Sequence, residues 1–204
     1  MMAAAATRPG LAKARMDQWS VRQLLEAARG GDRVALDRLV ARHEPQVQRF
    51  ALRLCANEQD ARDVMQETLL ALLTGVGDFR QESELSTWLF RVVRNLSARS
   101  RRRRVREPLE FDRLDESATA FPSEESAPSD AVESRQLGRA VSEAILSLPD
   151  AQREAVVLRD FEELTAEEAA RVTGLDISAH KSRLYRGRLN LKKRLTTMLA
   201  NELE

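Results

Sequence analysis

The chain has 204 residues, 43% of them hydrophobic but only 4% aromatic, with 32% charged and a net charge of +1. This length fits one large or two small domains, and a composition led by Ala, Leu, Arg and Glu excludes a β-sandwich or barrel in favour of an all-α fold. One cysteine, Cys55, excludes a disulfide framework, and with only His43 and His180 beside it no structural zinc site is expected. No apolar run approaches a membrane span, so direct membrane insertion is excluded and a reducing cytoplasm is the expected compartment.

Residues 1–18 are Ala-rich and basic but lack the apolar stretch of a secretory signal. They are expected to form a disordered tail, and Met16 is an alternative start to Met1. A short helix over 21–28 ends at Gly30-Gly31, and Asp32 caps a second helix carrying Val34, Leu36, Leu39 and Val40. A third stretch, 47–54, contains Phe50, Leu52, Leu54 and Cys55, the last read as core filling, and breaks near Ala56-Asn57. From Asp60 to Leu73 the apolar residues Ala61, Val64, Met65, Thr68, Leu69, Leu72 and Leu73 recur at helical spacing. Asp60, Asp63 and Glu67 fall on another face, with Gln66 beside them. Gly75 and Gly77 end this helix.

A polar loop over 78–83 leads to a fifth helix, with Ser83 or Ser86 as its expected cap. Leu85, Trp88, Leu89, Val92 and Leu96 make its apolar stripe. Thr87, Arg91, Arg94, Asn95, Arg101 and Arg102 share the opposite, basic face. Residues 91–106 carry eight arginines and no acid, whereas residues 107–133 reverse the sign, with Arg113 alone against Glu107, Glu110, Asp112, Asp115, Glu116, Glu124, Glu125, Asp130 and Glu133. Local charge of this kind attracts phosphates even where the net charge is small. Pro108, Pro122, Pro128 and the many Ser residues mark 107–133 as a flexible acidic linker. A linker of that length has an r.m.s. span of about 30 Å and a contour limit near ~90 Å. Two domains so joined can reach DNA sites about 60 Å apart, or roughly 17 base pairs.

Helical pattern resumes at Leu137, Val141, Ala144, Ile145 and Leu148 and stops at Pro149. A further helix runs through Ala155, Val156, Leu158 and Phe161. Thr165 and Glu168 have the spacing of a capping box. A turn at Thr173-Gly174-Leu175 and a cap at Asp176 introduce a last, basic helix with Lys181, Arg183, Arg186, Arg188, Lys192, Lys193 and Arg194. Two helices around a glycine-containing turn, the second one basic, are the signature of a helix-turn-helix.

The order of these parts resembles the bacterial RNA polymerase sigma factors of the extracytoplasmic-function (ECF) class. Asp60-Ala61-Arg62-Asp63-Val64-Met65-Gln66-Glu67-Thr68 resembles the helix that grips the clamp helices of the polymerase β′ subunit. Phe79-Arg80-Gln81-Glu82-Ser83-Glu84-Leu85-Ser86-Thr87-Trp88-Leu89 and Arg94-Asn95 resemble the promoter-melting segment. Leu148-Pro149, Gln152-Arg153 and the stretch from Leu164-Thr165 to Gly187-Arg188 resemble the domain that binds the upstream promoter element. The likeness spans roughly residues 20–200 and implies a polymerase-binding and melting domain over 19–106, the linker over 107–133 and a helix-turn-helix domain over 134–204.

The resemblance implies roles residue by residue. Asp60, Asp63, Gln66 and Glu67 would contact the polymerase core. Phe79, Arg80, Ser83 and Ser86 would form the loop that captures a flipped base, Phe79 packing beside it or bracing the loop, while Thr87, Arg91, Arg94 and Asn95 hold the strand. Lys181, Ser182, Tyr185 and Arg186 would read the upstream element, with Arg183 and Arg188 on phosphate and Leu184 facing the core. The run 101–104 lies where it could follow DNA phosphates. Two departures stand out. Gln81 sits where the family more often has Gly, and His180 where it usually has an aliphatic residue; a partly buried, hydrogen-bonded histidine is expected there. The implied partners are RNA polymerase core, through the β′ clamp helices and the β flap, promoter DNA and an anti-sigma factor. No cofactor and no small-molecule substrate are expected. The only tyrosine lies in the recognition helix and the conspicuous carboxylates form a stripe rather than a pocket, so a DNA-acting enzyme is not the reading. A helix-turn-helix regulator working alone would not need the 60–67 helix.

Overall fold

The computed structural model describes residues 18–77, 79, 85–106 and 128–201. Among these there is no strand, and eight α-helices follow one another: α1 (Val21–Arg29), α2 (Arg33–Leu54), α3 (Glu58–Gly75), α4 (Leu85–Arg106), α5 (Pro128–Leu146), α6 (Asp150–Val156), α7 (Ala166–Thr173) and α8 (Ile177–Asn201). The all-α, two-domain fold expected from composition and periodicity is the fold observed.

Local chemistry starts most of these helices. Ser20 and Gln23 form a capping box on α1, and the Asp32 carboxylate accepts from the Val34 and Ala35 amides at 2.9 and 3.2 Å. Asn57 accepts from Asp60 at the start of α3, Thr165 and Glu168 close their box on α7, and Asp176 accepts from Ala179 on α8. Gly174, at φ +68°, takes the left-handed conformation that ends α7.

Three boundaries differ from those expected. The stretches 34–40 and 47–54 are one helix, α2, which carries Pro45 in its interior. Pro45 cannot donate to the carbonyl four residues back, and the buried position between Leu39 and Val47 is taken by His43 rather than an apolar residue, so the sequence pattern lapses there. Burial of Leu39, His43, Val47 and Phe50 along one face keeps the helix continuous. α4 begins at Leu85, so Ser86 lies inside its first turn and is not its cap. α5 begins at Pro128, inside the stretch read as linker, because proline is well suited to a first helical turn. The tail and residues 107–127 of the linker lie outside the described residues, as do Arg80 and Ser83.

The N-terminal core packs Leu24, Leu39, Phe50, Leu54, Leu72, Leu89, Phe90 and Val93 between α1 and α4. Phe50 meets Phe90 edge to face at 4.6 Å between ring centres. Cys55 is buried with its Sγ 3.4 Å from Ser97 Oγ, and burial raises its thiol pKa, consistent with core filling. The same apolar cluster runs on into Ile145, Val157, Leu158, Leu164, Ala169 and Val172, so the C-terminal helices pack directly on the N-terminal domain. Five residues, Val157–Phe161, extend α6 as a π-helical turn. Leu148, Ala155, Val156 and Leu184 form a second core under α8, where Leu184 faces inward as expected.

Candidate functional site

α3 presents a continuous exposed stripe. Asp63, Gln66 and Glu67 lie on it in the order their spacing predicts, with Gln59 donating to Asp63 at 3.0 Å. Leu70, 58% exposed, and Leu73, 40% exposed, extend the same face, one and two turns beyond the acids. Sequence reading placed Leu73 with the buried stripe and did not single out Leu70. The run Leu69-Leu70-Ala71-Leu72-Leu73 offers two apolar registers, and only packing decides that Leu72 goes inside. Asp60 departs from the stripe. Its carboxylate is largely covered and pairs with Arg104 Nε at 2.9 Å, which turns it along α4 rather than outward.

On α4 the expected basic face is split. Arg91 and Asn95 are exposed, but Thr87 is only 1% exposed and belongs to the core. It sits two residues after Leu85 and two before Leu89, both buried, so the inward arc of this helix is wider than its apolar residues suggest. Phe79 is buried and meets Trp88 edge to face at 6.0 Å. Ser86 is half-buried in the first turn.

The arginines of this face meet the C-terminal domain. Arg94 Nε donates to Glu154 Oε2 at 2.8 Å. Arg101 reaches Glu154 Oε1 at 3.4 Å, Asp150 Oδ2 at 3.0 Å and the Leu54 carbonyl at 3.2 Å. Arg91 donates to the Arg171 carbonyl at 3.2 Å. Arg53, from α2, pairs with Glu162 at 3.0 Å and stacks over Phe161 at 4.6 Å. Burial raises the Glu162 pKa, against the opposing pull of Arg53. These partners were not found from sequence. Glu154 lies within α6 and Glu162 just past the π-helical turn that extends it, and nothing in their spacing points across the chain.

The recognition face of α8 is open. Lys181, Ser182, Tyr185 and Arg186 are exposed and, with Ile177 and Ser178, line a shallow groove. Tyr185 is 66% exposed. Arg183 is half-buried. Arg188 instead forms a two-pronged pair with Asp160, its Nε 3.0 Å from Oδ2, and that carboxylate raises the Arg188 pKa. His180 is completely buried at the inner side of α8, and neither ring nitrogen has a hydrogen-bond partner among the described residues. The hydrogen-bonded, partly buried histidine expected there is therefore not what the fold holds. Its pKa is lowered by burial first, then by Arg159 and Arg183. Among the described residues there is no cluster of His, Cys, Asp or Glu able to hold a metal, and no helix long and apolar enough to cross a membrane.

Residues 39–107 match the family Sigma-70 region 2, and residues 138–191 match Sigma-70, region 4. Those matches cover α3 and α4 on one side and the helix-turn-helix on the other, which defines a two-domain protein of the sigma-70 type. SigM, an ECF RNA polymerase sigma factor of Mycobacterium tuberculosis, is 34% identical over 174 residues, 85% of this chain and 83% of SigM. SigE, an ECF RNA polymerase sigma factor of Mycolicibacterium smegmatis, is 35% identical over 165 residues; the match takes in 79% of this chain and 63% of the length of SigE. The structure of CnrH in complex with the cytosolic domain of CnrY superposes with a TM-score of 0.65 at 26% identity, covering 87% of this chain and 99% of CnrH. This chain belongs to the ECF family of RNA polymerase sigma factors.

Proposed function

We propose that this chain binds RNA polymerase core, directs it to a particular set of promoters and opens them, as a cytoplasmic specificity subunit with no catalytic step of its own. The observation that carries this reading is the pairing of two solvent-facing surfaces, the Asp63–Gln66–Glu67 stripe of α3 and the Lys181–Arg186 face of α8, on domains that match sigma regions 2 and 4. The α3 stripe suits the β′ clamp helices. Exposed ion pairs contribute only about 0.2–1 kcal/mol each, so the acids supply register and association rate while Leu70 and Leu73 supply buried apolar area.

Lys181 and Arg186 can donate to the O6 and N7 edge of guanine in a major groove, and Ser182 and Tyr185 lie beside them for hydrogen-bonding or apolar contact. Arg91, Arg94 and Asn95 suit a single strand, with Phe79 anchored on Trp88 beside them. Asp60, tied to Arg104, supports the α3–α4 pair and is a secondary contact at most. Control by an anti-sigma factor fits the same surfaces, and CnrH is seen with a protein partner, the cytosolic domain of CnrY.

The test is transcription in vitro from a library of random promoters by purified bacterial core polymerase, with and without this chain. Specific transcripts that require the chain are the expected result, and the enriched sequences define its promoter. If no transcripts appear while the chain alone selects a DNA sequence, a free-standing regulator replaces this reading.

A further inference from the structure

The α8 groove is longer than the set of residues read as its DNA contacts. Beside Lys181, Ser182, Tyr185 and Arg186 it is lined by Ile177 and Ser178, which extend it to the very start of the helix. Residues four apart are neighbours on a helix surface, so the six form two rows, Ile177–Lys181–Tyr185 and Ser178–Ser182–Arg186. His180, Leu184 and Gly187 are buried on the inner side of α8, and both rows therefore face away from the protein.

Ile177 is the apolar end of the first row. It is 38% exposed, so most of its surface is covered, which restrains the side chain, while the remainder opens on the groove. Helix formation does not account for it, since a β-branched residue is a modest helix former. Nor does capping, because the Asp176 carboxylate already accepts from the Ala179 amide at 2.8 Å. A recognition helix contacts base edges chiefly through its N-terminal residues. In the major groove the feature that matches an apolar side chain is the 5-methyl group of thymine.

We propose that Ile177 is a specificity residue of the upstream element and reads a thymine through its 5-methyl group, beside the guanine read by Lys181. The inference rests on the reading of α8 as the promoter-facing helix and names a base that it selects. Four residues of helix advance about 6 Å and one base pair about 3.4 Å, so the thymine lies roughly two base pairs from that guanine. The Ser178 hydroxyl suits any base edge and adds no selectivity of its own.

The test uses the full chain assembled with purified core polymerase. Promoters selected from the random library by the wild type, by Ile177→Ala and by Lys181→Ala are compared first. Ile177→Ala is expected to relax selection of one T·A pair, roughly two pairs from the G·C pair relaxed by Lys181→Ala, and to leave the other positions as they were. Templates are then made with uracil in place of that one thymine, which removes only the methyl group. Transcription by subsaturating wild-type holoenzyme is expected to fall about fourfold on uracil, the scale of one buried methyl group. Ile177→Ala is expected to use both templates equally, and Ile177→Val, which keeps a branched apolar end, to retain part of the preference. Circular dichroism establishes that the variants keep their helices; should Ile177→Ala lose them, Ile177→Val takes its place, with a smaller drop in the same direction. Wild-type indifference to uracil, or an equal fall with Ile177→Ala, overturns the proposal. So does relaxation at no pair, at a pair other than T·A, or evenly across the element in a folded variant. A wild type that yields no transcripts on thymine templates overturns the sigma reading itself, and this proposal with it.

Discussion

His180→Leu is expected to stabilise the helix-turn-helix domain. The imidazole is 0% exposed, and neither nitrogen is hydrogen-bonded among the described residues. A buried polar group without a partner costs about 1–3 kcal/mol, and an apolar side chain of similar volume removes that cost. Imperfect fit returns up to ~1.5 kcal/mol, so the midpoints of the two terms leave a net gain of about 1 kcal/mol, or roughly 2–4 °C in Tm for a chain of this size. The pH dependence follows with a definite sign. Burial, Arg159 and Arg183 hold the folded pKa of His180 below its ordinary value of 6.5. The unfolded chain therefore takes up a proton there before the folded chain does. His180 costs nothing extra above pH ~7.5, and the wild type loses stability as pH falls through 6.5, by up to about 1.4 kcal/mol between pH 7.5 and 5.5. His43, whose pKa is lowered chiefly by burial, adds a loss of the same sign in both proteins. The advantage of the variant over wild type thus widens on acidification. Urea unfolding followed by circular dichroism at the two pH values measures it. A variant that is less stable than wild type, or an advantage that does not grow at pH 5.5, refutes the reasoning.

Gly187→Ala should destabilise the same domain, because a β-carbon there would lie 2.7 Å from Val156 Cγ2 and 3.0 Å from the Gln152 carbonyl. The overpacking cost of about 1–3 kcal/mol exceeds the gain of up to ~1 kcal/mol in helix propensity, and thermal unfolding reads the difference. Leu70→Asp should weaken binding to core polymerase about 30-fold, on the scale of an apolar anchor worth ~2 kcal/mol, without changing Tm; surface-bound polymerase measures the affinity. Arg186→Ala should cost about 1–3 kcal/mol at one base pair of the upstream element, seen as relaxed selection at that position in the promoter library, whereas a uniform loss on all sequences would mark Arg186 as a phosphate contact.

What could be read from the sequence, and what could not, divides along a physical line. Asp32, Thr165, Glu168, Gly174 and Asp176 act on backbone groups within a few residues, so their roles are written locally, and each does in the structure what its position predicts. Asp63, Gln66 and Glu67 share a face through helical spacing alone. Lys181, Ser182, Tyr185 and Arg186 do the same on α8, and both groups stay exposed. Spacing fails where a second element decides. Leu73 turns outward because Leu72 takes the inner position, and Thr87 turns inward because α4 is buried over a wide arc.

The charged residues make the sharpest case. A basic helix face and an acidic residue sixty positions later carry no local sign of one another, yet Arg94 meets Glu154 at 2.8 Å. Solvation is the expected fate of such an arginine when its helix is read alone. Pairing across the domains removes both groups from water only because Val157, Leu158 and Ala169 bring the surfaces together first. The ion pairs then set how the surfaces register rather than whether they meet, since a buried pair scarcely offsets its own desolvation.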